Sequence, residues 1–116
     1  MFTKEDISIL AFQRYRSGES YEKSVYYLAE MVCKINKNLK NGNQIEALET
    51  DNLVLLLRDD INGALLEPDR ENVEDLAENI YHQRPEKSKL HWYCAEKELL
   101  LKEIERIIDE NRENQE

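Results

Sequence analysis

The chain has little in it that would break a helix: three glycines and two prolines in 116 residues, each placed between stretches of periodic apolar residues. A sheet with many tight turns needs more of both, so helices are expected instead. Cysteine is equally scarce. Cys33 and Cys94 are too few for a disulfide scaffold and fall at helical positions, which reads as two reduced thiols, Cys94 in the core and Cys33 at its boundary. The longest pure apolar run, Leu53 to Leu57, is far short of the roughly 20 residues that span a bilayer, so no membrane partner is expected. Nor does the start, Met1 to Asp6, follow the order of a secretory signal, and a cytoplasmic location is expected. Missing too are a glycine-rich phosphate loop, a nucleophile elbow and a Ser/His/Asp arrangement, and no basic stripe with interleaved aromatics invites nucleic acid directly.

What is present is apolar residues at 41% and charged ones at 35%, too apolar for disorder and enough for a real core in one domain. The spacing predicts an all-α, compact bundle of about five helices, a single layer-packed domain over residues 1–108 with a polar, frayed tail at 109–116. Thr3 caps a first helix ending near Gly18. Its apolar residues Ile7, Ile9, Leu10, Ala11, Phe12 and Tyr15 point to more than one side, so contact from two directions is expected. Ser20 caps a second helix to about Leu39, with Tyr21, Val25, Leu28, Ala29, Val32, Ile35 and Leu39 in one stripe. A third helix is expected over Ile45 to Leu66, with a break near Thr50; a strand over Leu53 to Leu57 is the alternative. Asp69 or Asn72 caps a fourth helix that sends Val73, Leu76, Ala77 and Ile80 inward, and Ser88 a fifth that reaches at least Ile108.

Charge is unevenly placed. Residues 1–45 hold seven basic and five acidic side chains, residues 46–78 two and eleven, and residues 79–116 seven and nine, so the middle third carries the whole net charge of -9. Within it Glu71, Glu74, Asp75 and Glu78 share the side of the fourth helix opposite its apolar residues. Such a ridge is either a solvated face or a docking surface for a basic protein whose own ligand is a phosphate backbone. Tyr27 lies on the polar side of the second helix. Trp92 and Leu99 share a side of the fifth, opposite its main stripe, so they are exposed anchors unless that helix is buried twice.

Two spacings point to chemistry. Glu46-x-x-Glu49 followed by Glu71-x-x-Glu74 sets paired carboxylates on neighbouring helices, where they hold Mg²⁺ against a nucleotide's phosphates. Over those four positions the chain is similar to the all-α nucleotide pyrophosphohydrolases of the MazG kind, although the second pair ends in Glu74 where that family has Asp. Arg84 and His91 stand at an R-x6-H spacing that resembles the motif of HEPN ribonucleases, with Pro85 where that family has a polar residue. His82, His91, Cys94 and Glu78 lie close in sequence but lack the paired spacing of a zinc site, and no metal or cofactor is expected.

The leading expectation is therefore a non-catalytic protein-binding module: an adaptor, an inhibitor or an immunity-type antagonist. Glu71, Glu74, Asp75, Glu78, Tyr27, Trp92 and Leu99 would meet a basic partner. A MazG-like hydrolase and a homo-oligomeric bundle joined through Trp92 and Leu99 are the alternatives. Three charges interrupt apolar stripes, Arg14, Asp60 and Lys97. Arg14 and Lys97 are expected to run their stems out to water, and Asp60 either to pair with one of them or to sit at the rim.

Overall fold

Thr3 sets the start of the first helix, α1 (Lys4–Ser17), through a reciprocal pair of bonds. Its hydroxyl accepts from the Asp6 N–H at 3.2 Å, and the Asp6 carboxylate accepts from the Thr3 N–H at 2.8 Å. Gly18, at φ 73°, supplies the left-handed residue that ends α1. Ser20 then caps α2 (Tyr21–Lys37), accepting from the Lys23 N–H at 3.2 Å. These starts and stops agree with the sequence reading because each is decided within one turn of chain.

The computed structural model describes residues 2–49, 56–61 and 63–113, with side chains up to residue 110. It corrects the expected helix over Ile45 to Leu66: residues 45–49, 56–61 and 63–66 are not helical. Leu39 and Leu57 form an antiparallel bridge, with Lys40 N–H donating to the Leu56 carbonyl at 2.7 Å and Arg58 N–H to that of Asn38 at 2.9 Å. Ile45, Ala47, Leu48, Leu57, Ile61 and Leu65 still pack on the core, but as a covering strap whose apolar residues follow no helical period. Leu56 and Ala64, which helical spacing would set on one face with Leu57 and Ile61, are exposed. Thr50 and Leu53 to Leu55, where the break and most of the alternative strand were expected, lie outside the described residues.

The chain re-enters helix at α3 (Arg70–Gln83), with Asp69 as the N-cap residue and Arg84 ending it at φ 47°. After Pro85 comes α4 (Lys87–Glu113), which begins two residues ahead of the start that a Ser88 cap would set, its first turn anchored by the Leu90 N–H on the Glu86 carbonyl at 2.8 Å. It runs past Ile108 into the polar end. The described residues thus hold four helices rather than about five.

Backbone packing places the helices in the order α1, α4, α2, α3, so that α4 and α2 are central and α1 and α3 lie at the two ends. The molecule measures 45 × 32 × 23 Å along its principal axes. Leu28, Ala29 and Ile35 of α2 meet Ile80 of α3 and Leu90, Cys94, Leu100 and Ile104 of α4, all 0% exposed. Each such large aliphatic side chain contributes about 1.5–3 kcal/mol by leaving water. The expected contact of α1 from two directions is not found. Among the described helices its backbone packs on α4 alone, and Ile9, Phe12 and Tyr15 remain 54%, 59% and 63% exposed. Among the described residues no helix is long and apolar enough to cross a membrane.

Candidate protein-binding surfaces

The outer face of α3 is built by the rule that buries Val73 and Ile80, with Leu76 and Ala77 half-buried beside them: one side of an end helix goes to α2 and the other to water. Glu71, Glu74, Asp75 and Glu78 all lie on the water side, exposed. Glu74 accepts from Arg70 Nε at 3.0 Å, and Glu78 lies 3.6 Å from His82 Nε2. Glu71 and Asp75 have no ion pair among the described residues.

The acidic middle third is otherwise largely matched at short range. Lys34, Lys37 and Lys40, which crowd the end of α2, reach Glu67 at 3.1 Å, Asp69 at 3.1 Å and Asp59 at 3.7 Å, while Arg58 holds Asp60. The lysines that suit the end of α2 electrostatically also tether the strap to it. Among the described residues of that third, the carboxylates left without a basic partner are Glu46 and Glu49 on the strap and Glu71 and Asp75 on α3.

The aromatic residues gather elsewhere. Tyr27, 47% exposed, lies beneath the Arg14 guanidinium at 5.0 Å, beside Tyr26, also partly exposed. With Glu19, Glu22 and Lys23 these two tyrosines line a shallow depression near the start of α2. Trp92 and Leu99 are half-buried on α4, which packs against both α1 and α2 and so is the helix buried twice. The seven residues singled out from sequence do not form one patch: four lie on α3 at one end, Tyr27 lies against Arg14 of α1, and two lie on the central α4.

Arg14 and Lys97 do not escape to water as expected. Arg14 donates to Glu98 at 3.0 Å and lies 3.6 Å from Glu19, with its side chain 11% exposed. Lys97 is 0% exposed and donates to the Glu49 carbonyl at 3.0 Å and to the Glu96 carboxylate, its ammonium over the Tyr93 ring. Each cation found a carboxylate the apolar stripes gave no reason to choose. Asp60 pairs with neither and sits exposed at the rim, its carboxyl held below the usual range by the Arg58 guanidinium.

Around Arg14 is a polar cluster that no motif announced. Ser24 donates to Glu19 at 2.9 Å, and the Cys94 thiol donates to the Ser24 carbonyl at 3.4 Å. Burial pushes that thiol up to about 12, which makes it an inert core group; Cys33, half-buried, is also raised by burial. His91 is 3% exposed, edge-on to Tyr15 at 6.3 Å, and neither ring nitrogen has a hydrogen-bond partner. Arg84, by contrast, is exposed at the end of α3, and the charged groups that act on His91 are Lys87, Glu19 and Arg14. Among the described residues no three His, Cys, Asp or Glu side chains are grouped to hold a metal ion, so Glu46, Glu49, Glu71 and Glu74 do not gather as a shared cation site would require.

Compared with known proteins, the chain matches no family model, no curated protein and no solved structure.

Proposed function

We propose that the protein is a non-catalytic protein-binding module, an adaptor, inhibitor or immunity-type antagonist, whose outer α3 face docks on a basic partner. The observation that supports this is clustering: Glu71, Glu74, Asp75 and Glu78 share the exposed outward face of an end helix, and Glu71 and Asp75 have no cation beside them among the described residues, whereas Asp59, Asp60, Glu67 and Asp69 do. A row of carboxylates with that exposure attracts a positive surface over a Debye length and orients it before contact. Proteins that bind phosphate backbones carry such surfaces, and the partner is of that basic class.

The test is to replace Glu71, Glu74 and Glu78 with Lys and to recover partners from the native host with both forms, comparing them by quantitative mass spectrometry. Association rates with any protein retained by the wild type alone are then measured across a salt series. The variant should associate more slowly and with weaker salt dependence while keeping its helix content. Rates that do not change remove α3 from the mechanism.

A further inference from the structure

The outward side of α1, at the other end of the molecule from the acidic face, carries a pattern with internal symmetry. At 100° per residue, Glu5, Ile9, Phe12 and Arg16 fall in one line along the helix, opposite the buried Ile7 and half-buried Leu10, Ala11 and Arg14. All four are exposed, the two apolar ones more than half. Glu5 and Arg16 have no ion-pair partner among the described residues, although Arg14, two positions away, has two. Acid and base thus bracket an apolar centre, and reversing the direction of the line exchanges acid for base and Ile for Phe.

We propose that this stripe is a self-association seam on which a second copy of the chain lays its own α1 antiparallel about a two-fold axis. In that arrangement Ile9 of each copy covers Phe12 of the other, and each Glu5 meets the other's Arg16. The symmetry makes one surface complementary to itself, which is the requirement of an isologous dimer. Antiparallel helices also set the positive end of each macrodipole beside the negative end of its neighbour. Among the described residues no helix other than α4 packs its backbone on α1, and the four stripe residues are exposed, so the seam is open to a second molecule. A 14-residue helix is only about 21 Å long, so the pair buries less than the roughly 1,600 Å² of a standard interface and the dimer is weak and concentration-dependent. This inference uses a surface separate from α3 and stands or falls independently of the docking proposal.

The experiment is sedimentation equilibrium on the full chain from about 5 to 500 µM, the range that suits so small an interface. The wild type should rise from 13.8 kDa toward twice that mass. Phe12→Asp should remain monomeric, its position being exposed enough to leave the fold intact, as circular dichroism checks. Glu5→Arg or Arg16→Glu alone sets like charges against each other at both ends and should weaken the dimer about tenfold. Mixing those two variants restores an opposite charge at every contact, so the mixed pair should be tighter than either variant with itself. That rescue is peculiar to the two-fold antiparallel register. A wild type that stays monomeric throughout overturns the proposal and leaves the stripe to a partner of another kind. A dimer indifferent to Phe12→Asp, or a mixture no tighter than its components, overturns it equally and puts the contact elsewhere.

Discussion

Asn38 holds Leu66 by both of its backbone groups: the side-chain oxygen accepts from the Leu66 N–H at 2.8 Å, and the side-chain nitrogen donates to the Leu66 carbonyl at 3.0 Å. Asn36 treats Ile45 in the same way, at 2.7 and 3.0 Å. Two asparagines at the end of α2 therefore act as short pieces of neighbouring strand, satisfying backbone groups that helix formation would otherwise have paired.

Asn38 is 0% exposed and also donates to the Lys34 carbonyl at 2.7 Å, so its loss takes a partner from three partly buried backbone groups. We predict that Asn38→Leu destabilises the protein by about 2–4 kcal/mol in urea denaturation, the order expected for stranded buried polar groups. Exchange of the Leu66 amide should quicken more than that of core amides in α2 and α4. A loss below about 0.5 kcal/mol, the scale of an ordinary surface substitution, would show that the strap is held by its apolar contacts alone.

The strap also marks where the sequence stopped being legible. The α1 and α2 boundaries were readable because Thr3, Gly18 and Ser20 act on groups within a few residues of themselves. Between Ile45 and Leu66 the deciding groups are distant: Asn36 and Asn38 reach back from another element, and Lys97 from α4 takes the Glu49 carbonyl. Apolar residues spread on all sides read as a helix buried all round, yet the same spread suits an irregular strap laid over a core. The acidic side of α3 was readable since it opposes Val73 and Ile80 on the same helix. Which carboxylates would be matched by Lys34, Lys37 and Lys40 depended on tertiary folding, and so did the exposure of Ile9 and Phe12.

His91 makes a prediction about pH. Burial, then the nearby Lys87, holds its imidazole below the ordinary value of 6.5, with Arg14 adding to the effect and Glu19 opposing it. Near pH 6 the unfolded chain therefore binds more protons than the folded one, so stability rises with pH there. The contribution is complete above about pH 6.5 and is lost as pH falls from that value through the lower folded-state value. Urea midpoints measured from pH 8 to pH 5 should decline in the wild type and decline less in His91→Leu, which has nothing to protonate at this site. Parallel curves for the two proteins would assign the decline to carboxylates instead.

The last prediction concerns Lys97, which is wholly buried, and Glu96, 5% exposed, adjacent in sequence and paired on the α4 surface that receives the strap. Removing two charges from water costs several kcal/mol each, and their attraction in the interior repays this only when hydrogen bonds use up the remaining donors. Here the ammonium spends one proton on Glu96, a second on the Glu49 carbonyl, and lies over the Tyr93 ring at 5.5 Å. Lys97→Met keeps the length of the stem but strands a buried carboxylate and a backbone carbonyl, and should cost about 3–5 kcal/mol. Glu96→Leu, which strands the ammonium, should cost a similar amount. With both replaced, only the Glu49 carbonyl is left short, and the double variant should be less destabilised than either single one. A double-mutant cycle in urea should then give a coupling energy above about 2 kcal/mol, a size that contacting charges reach when both are desolvated. A coupling near zero would mean that the two groups are separately solvated in solution, and that the ammonium holds the strap through the Glu49 carbonyl without help from its neighbour.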